Sequence, residues 1–156
     1  MRVAAVAAAV SGLPSTAYAA ATGGDVLAAT RAAGTLLPGR RSRPSLAGGV
    51  VAHAVVSAGW TAVLLAVARR RPLGVVGGLV AGAAIAALDL ELAGRRHPAI
   101  RALPRGPQWL DHLAFGAVVG ALGTGQDGGS SRPDSSAASP SSLVWWTAPG
   151  ACSGGP

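Results

Sequence analysis

LGVVGGLVAGAAIAALDLELAG, residues Leu73–Gly94, is a continuous apolar run that closes on two carboxylates, Asp89 and Glu91. Arg95-Arg96-His97-Pro98 follows it directly. An α-helix needs about 20 predominantly apolar residues to cross the hydrocarbon core of a bilayer, and this run has that length. The sequence therefore predicts a transmembrane helix here, around which the rest of the chain is organised.

Other apolar segments lie on both sides of this stretch, and basic or proline-containing linkers separate them. Leu46–Ala68 precedes it across the short connection Arg69-Arg70-Arg71-Pro72, so the two helices must run antiparallel as a hairpin. WLDHLAFGAVVGALG follows the arginine loop and resembles a further span when it starts at Pro107. We predict an all-α, four-helix transmembrane bundle in residues 1–123, with spans at about 3–22, 46–68, 73–94 and 107–123 and a connecting helix at about 26–37.

The two ends of the chain are less regular. Val3–Thr22 is alanine-rich with Pro14 in its middle, and it suits either a first span or a cleaved signal peptide whose A-x-A site would be Ala17-Tyr18-Ala19. Residues 124–156 change to glycine, serine and proline, a composition too poor in apolar side chains to offset the entropy of ordering. We therefore expect a disordered, low-complexity tail.

The composition favours lipid over water as the solvent. Half of the residues are hydrophobic, 12% are charged, and the mean hydropathy is +0.44. The net charge of +7 comes from 13 arginines that fall between apolar runs and not along one polar face, so we expect no nucleic-acid partner. The single cysteine, Cys152, allows no intramolecular disulfide or cysteine-based metal motif. No phosphate-binding, dinucleotide-binding or hydrolase motif is present, so no cofactor is predicted and an enzyme is the less favoured interpretation.

The arginines predict how the bundle sits in the membrane, because arginine-rich loops stay in the cytoplasm. If all four segments cross, one side carries the larger arginine set and the other the smaller, which favours both termini outside a cell membrane. The larger set is Arg31, Arg40, Arg41, Arg43, Arg95, Arg96, Arg101 and Arg105; the smaller is Arg2, Arg69, Arg70, Arg71 and Arg132.

Small residues recur every four positions on two of the predicted helices. Gly74, Gly78 and Gly82 lie on one face of the third span, and Gly116 and Gly120 lie on one face of the fourth. Small side chains let helix backbones approach closely in lipid, where packing replaces the hydrophobic effect as the force that joins helices. We predict that these glycines are helix-packing positions.

Each of three predicted spans also carries one ionisable side chain on its small-residue face: His53, Asp89 and His112. At 1.5 Å per residue all three lie roughly 5–10 Å inside the same membrane boundary. Because buried ionisable groups seek partners, we predict that they form one intramembrane polar cluster. The cluster suits three roles: mutual satisfaction that fixes helix register, a proton or ion relay, or a metal site, the last disfavoured because no close ligand spacing exists.

For the other polar residues near these spans we predict structural roles. Glu91 precedes Arg95 by four residues, which predicts a solvated ion pair at the interface. Asp25 is expected to cap the connecting helix, and Asp111 to cap the last helix near Trp109. His97 lies in the arginine loop and is expected to be solvated.

Three stretches resemble small integral membrane proteins of unknown function from high-G+C bacteria. They are SGLPST at Ser11–Thr16, DVLAATRAAG at Asp25–Gly34 and RRHPAIRALPRGPQWLDHLAFG at Arg95–Gly116. The resemblance covers about Met1–Gly123 and implies four membrane helices, with no functional residue to carry over. In those proteins the last helix continues past the position of Gly123, where this chain changes to its tail.

The sequence leaves two functional hypotheses. The leading one is a structural or accessory membrane protein that packs through its small-residue faces against a membrane-protein partner or a second copy. The alternative is a small transporter or proton-coupled protein that works through His53, Asp89 and His112. A cavity around those residues would favour transport, whereas tight packing there would favour the accessory role.

Overall fold

The structure, a computed structural model, describes residues 2–123, and within that range the chain is helical with no β-strand. The all-α prediction is confirmed, and the predicted tail lies outside the described residues. The helices are α1 (Arg2–Ser11), α2 (Leu13–Ala21), α3 (Ala28–Ala33), α4 (Leu46–Ala68), α5 (Gly74–Ala86), a π-helical segment (Ala87–Ala93), α6 (Pro98–Arg101) and α7 (Arg105–Gly123), with 3₁₀ turns at Gly34–Leu36 and Gly94–Arg96.

Three helical stretches within residues 2–123 are long and apolar enough to cross a membrane. They are Arg2–Ala21 with 20 residues, and Leu46–Ala68 and Gly74–Arg96 with 23 residues each. The fourth predicted span folds as α7 but does not meet the same criterion, because its first two turns carry Arg105 and Asp111 together with other polar groups. The fourth crossing therefore stays a prediction.

On α4 and α5, many large aliphatic side chains lie on the outside of the bundle, whereas small and polar ones are buried. Val55 of α4 is 64% exposed and Val76 of α5 is 75% exposed, whereas Ser57 and Thr61 of α4 are buried. In water this arrangement would leave apolar surface uncovered, but in a bilayer the aliphatic face meets lipid and the polar face meets other helices. This distribution is what membrane-spanning helices require.

Helices α5 and α7 form the most extensive interface, and glycine makes it possible. A Cβ on Gly78 would collide with the backbone of Gly116, and a Cβ on Gly82 would lie 3.0 Å from the Cα of Leu113. In return, a Cβ on Gly120 would lie 3.0 Å from the Cα of Gly78. The two glycine rows thus face each other, and van der Waals contact between backbones holds the pair together.

Gly74 has a different role from the other glycines of its row. A Cβ built on it would meet nothing within 4 Å, but its backbone φ of +58° lies in the left-handed region that L side chains rarely adopt. Its carbonyl oxygen still touches Gly120. Gly74 therefore serves the turn that starts α5, and only its backbone takes part in packing.

Helix α1 lies against α7 and α4, and α2 lies against α7. The apolar core joins α1 to the other helices through Val3 and Ala7, which pack with Leu64, Phe115 and Val119. Between α1 and α2 the helix breaks at Gly12, two residues before Pro14, because proline has no N–H for the helical ladder. The first apolar stretch is thus a kinked helix that is part of the core.

Helix α3 packs on the start of α4 through a second glycine pair. A Cβ on Gly34 would lie 2.9 Å from the amide nitrogen of Gly49, so the two backbones touch. Ser45 caps α4 there, since its Oγ accepts a hydrogen bond of 3.1 Å from the amide of Gly48. This contact fixes the connecting segment over one end of the bundle, where it closes the site described next.

Candidate functional site

The site is built around the π-helical segment Ala87–Ala93, which carries both acids of the third span. Its wider turn is visible at its end, where the amide of Gly94 donates to the carbonyl of Asp89, five residues back. A π-helical turn shifts the register of the side chains that follow it and often occurs at functional sites. The apolar run predicts an uninterrupted α-helix, and the π-helical segment is a departure from it that the sequence does not indicate.

Arg105 at the start of α7 holds the outer side of this segment. Its Nη1 donates to the carbonyl oxygen of Leu90 at 3.1 Å and lies 3.2 Å from Oε1 of Glu91. Arg95 lies 3.8 Å from the other Glu91 oxygen, as the i, i+4 spacing predicted. The guanidinium thus satisfies a carbonyl that the π register leaves available, and Glu91 is turned away from the bundle interior.

Asp89 faces the interior and meets side chains from two other helices. The indole Nε1 of Trp60 on α4 donates to its Oδ2 at 3.0 Å. Nε2 of His112 on α7 lies 3.6 Å from the same oxygen, which is an ion-pair distance but longer than a hydrogen bond. Asp89 therefore links three helices, and the aspartate and one of the predicted histidines are neighbours.

The protonation of His112 is constrained by its other ring nitrogen. Nδ1 lies 2.8 Å from the carbonyl oxygen of Gln108, and because a carbonyl only accepts, Nδ1 must carry a proton. Nε2 then faces Asp89 without a proton when the imidazole is neutral and with one when it is charged. The pair can accordingly take up or release a single proton without any rearrangement of the helix.

Asp111 contributes a second carboxylate, and the role predicted for it is wrong. It was predicted to cap its own helix near Trp109, but α7 begins earlier, at Arg105. Instead its Oδ1 accepts a hydrogen bond of 2.9 Å from the amide of Ser15. This amide lies in the first turn of α2, where no helical partner exists, so Asp111 caps a helix 96 residues away in sequence.

His53, the third predicted member of the cluster, bonds elsewhere. Its Nε2 donates to the carbonyl oxygen of Ala8 on α1 at 3.0 Å, next to the break before α2. The side chain is exposed. The structure thus joins Asp89 directly to His112 and places His53 on a different wall of the same space.

That space is a cavity of about 590 Å³ between the helices. It is lined by His53, Asp89, His112 and Asp111, and also by Trp60 and Ser57. Most of the remaining lining residues are apolar, among them Val50, Val56, Ile85, Leu90, Ile100 and Phe115. A volume of this size, apolar walls and a few convergent polar groups are the usual features of a small-molecule site.

Two further side chains have a buried polar atom without a hydrogen-bond partner in the described residues. Thr61 lies four residues after Ser57 on α4, and no hydrogen-bond partner for its buried hydroxyl is found among residues 2–123. His97, expected to be solvated, has a buried Nδ1 that likewise lacks a partner in the described part of the chain. Within residues 2–123 no group of three His, Cys, Asp or Glu side chains is placed to hold a metal ion.

Comparisons of the chain with protein-family models, with curated proteins and with solved structures gave no match.

Proposed function

We propose that this chain is a multi-pass protein of the cell membrane that acts as a small transporter, with the cavity between its helices as the solute site. The observation that carries the proposal is the cavity of about 590 Å³, because it brings two carboxylates and two imidazoles into an apolar space. Ionisable groups at membrane depth are costly and are kept where they bind ions, protons or solutes.

The Asp89–His112 pair gives this cavity a means of coupling to protons. With the proton absent, Asp89 presents a negative charge that is held by one indole hydrogen bond from Trp60. With the proton present, His112 becomes the counter-ion of Asp89, and the charge offered to a solute is cancelled. Proton binding and the binding of a charged solute therefore compete at one place, which is the requirement for exchange transport.

The π-helical segment supplies a structural element that can move with this exchange. A change of Ala87–Ala93 between π and α register would rotate Asp89 relative to His112 while Arg105 keeps hold of Glu91. Such a register shift moves one carboxylate without separating the helices. The glycine-packed α5–α7 interface then acts as the fixed part of the protein.

The second candidate is a structural or accessory membrane protein, with a partner protein or a second copy of the chain as its target. The aliphatic faces of α4 and α5 favour it, since Val55 and Val80 are 64% and 67% exposed. Against it, Gly78 and Gly82 already face Gly116 and Gly120, so these glycine rows are occupied within the chain. The open cavity is not needed for this role.

Water access to the cavity separates the two candidates. In a Cys152→Ser background, Ser57→Cys places a thiol on the cavity wall, and Thr61→Cys places one four residues further along α4, where it is buried outside the cavity. A charged, membrane-impermeant thiol reagent is expected to label Ser57→Cys and to spare Thr61→Cys. Equal protection of both thiols would contradict transport and favour the accessory role.

A further inference from the structure

The charge balance of the cavity narrows the kind of solute it can hold. Its ionisable lining groups are the carboxylates Asp89 and Asp111 and the imidazoles His53 and His112. With neutral imidazoles these groups carry two negative charges, and with both imidazoles protonated they only reach neutrality. Among residues 2–123 no arginine lines the cavity, and Arg105, which lies near it, is engaged by Glu91.

The apolar walls of the cavity determine what the uncharged part of the solute can be. Phe115 and Ile85 line the cavity together with the indole of Trp60, whose ring can accept a cation against its face. Such walls favour an apolar body, since burying polar groups against them without partners costs free energy. A solute that suits both the walls and the charges is an apolar molecule with a positive charge.

Ser57 adds one polar group to the cavity wall. The residue is only 6% exposed and lines the cavity. Its hydroxyl can donate a hydrogen bond to, or accept one from, a polar group of a solute or its water. Ser57 lies on the same helix as Trp60 and His53, close to the charged groups.

We infer that the solute class of this cavity is the lipophilic organic monocation, held by Asp89 and Asp111 as counter-charges and by the ring of Trp60. This inference rests on the proposed transport function and assigns its substrate class. Proton uptake at the Asp89–His112 pair would reduce the negative charge and release the cation. The charged groups facing this pair are Asp111 and His53, with Glu91, Arg95 and Arg105 on the outer side of the π-helical segment.

The test measures binding of two probes of nearly equal shape and opposite charge to the full chain purified in detergent. Isothermal titration with tetraphenylphosphonium is expected to show saturable binding, and titration with tetraphenylborate is expected to show none above the micelle background. Asp89→Asn removes the charge but keeps an oxygen to accept from Trp60, so it is expected to weaken phosphonium binding at least about tenfold. Asp111→Asn likewise keeps its bond to Ser15 and is expected to weaken binding.

Glu91→Gln is the matched control, because Glu91 lies on the same π-helical segment but does not line the cavity. Its phosphonium affinity is expected to equal that of the unchanged chain. Equal binding of tetraphenylborate, equal losses in Glu91→Gln and Asp89→Asn, or no phosphonium binding at all would overturn the cation assignment. Labelling of Ser57→Cys decides separately whether the cavity is open to water, so the transport proposal can stand while this inference fails.

Discussion

The α5–α7 interface gives the most quantitative prediction, because it depends on two adjacent glycines with different surroundings. In Gly78→Ala, the new Cβ would lie 2.9 Å from the carbonyl carbon of Gly116 and 3.1 Å from the Cα of Gly120. Both neighbours are backbone, so they cannot rotate away as a flexible side chain would. The carbonyl oxygen of Gly116 lies nearer still, so restoring an ordinary contact of 3.4 Å to Gly116 requires the helices to separate by more than about 1 Å.

The expected cost follows from that displacement. Overpacking of a tight interface costs about 1–3 kcal/mol, and the higher helix propensity of alanine returns up to about 1 kcal/mol. We expect Gly78→Ala to lower the free energy of unfolding by about 1–2 kcal/mol. Gly77→Ala is the matched control, because its Cβ would meet only the side chain of Leu73, at 3.4 Å. This control is expected to be neutral or stabilising.

The assay is unfolding of each variant in mixed micelles by a titration with sodium dodecyl sulfate, followed by far-ultraviolet circular dichroism. The quantity compared is the difference in unfolding free energy between the two alanine variants. If Gly77→Ala and Gly78→Ala change stability by the same amount in the same direction, the proposed close contact between α5 and α7 is wrong.

Three other side chains give predictions that the same unfolding assay or hydrogen exchange can check. Asp111→Ala removes the cap of α2 and is expected to cost about 1 kcal/mol, whereas Asp111→Asn keeps an acceptor and should cost less; equal losses would refute the cap. Trp60→Phe removes the indole donor from Asp89, so it is expected to lower the free energy of unfolding by roughly 1 kcal/mol. In an Asp89→Asn background the same substitution is expected to cost less. Arg105→Ala should accelerate amide exchange in Ala87–Ala93, and unchanged exchange would show that the guanidinium does not hold this segment.

Parts of this structure that repeat along one helix could be predicted from the sequence. Gly78 and Gly82 recur every four residues in an uninterrupted apolar run, as do Gly116 and Gly120, so a common face follows from helical geometry alone. The ion pair of Glu91 and Arg95 could be predicted for the same reason, because residues four apart lie on the same side of a helix. The proximity of Asp89 to His112 followed from the same periodicity, because the glycine rows bring the two helices together.

The parts that depend on long-range contacts or on departures from regular helix could not be predicted. Asp111 caps α2 because a break before Pro14 leaves the Ser15 amide free, and nothing in the local pattern joins residues 96 positions apart. No sequence pattern indicates the π-helical segment, so its effect on the orientation of Asp89 could not be predicted. His53 bonds to a backbone carbonyl of α1, and a backbone acceptor leaves no signal in the sequence.

Cysteine mapping of the loops measures whether the chain crosses a membrane repeatedly. In a Cys152→Ser background, single cysteines at the exposed positions Ser42, Arg70 and Ala102 are treated with an impermeant maleimide on intact cells and again after permeabilisation. We expect Ser42→Cys and Ala102→Cys to share one side and to be protected until permeabilisation, and Arg70→Cys to be labelled from outside. Labelling of all three from the same side would contradict this expectation.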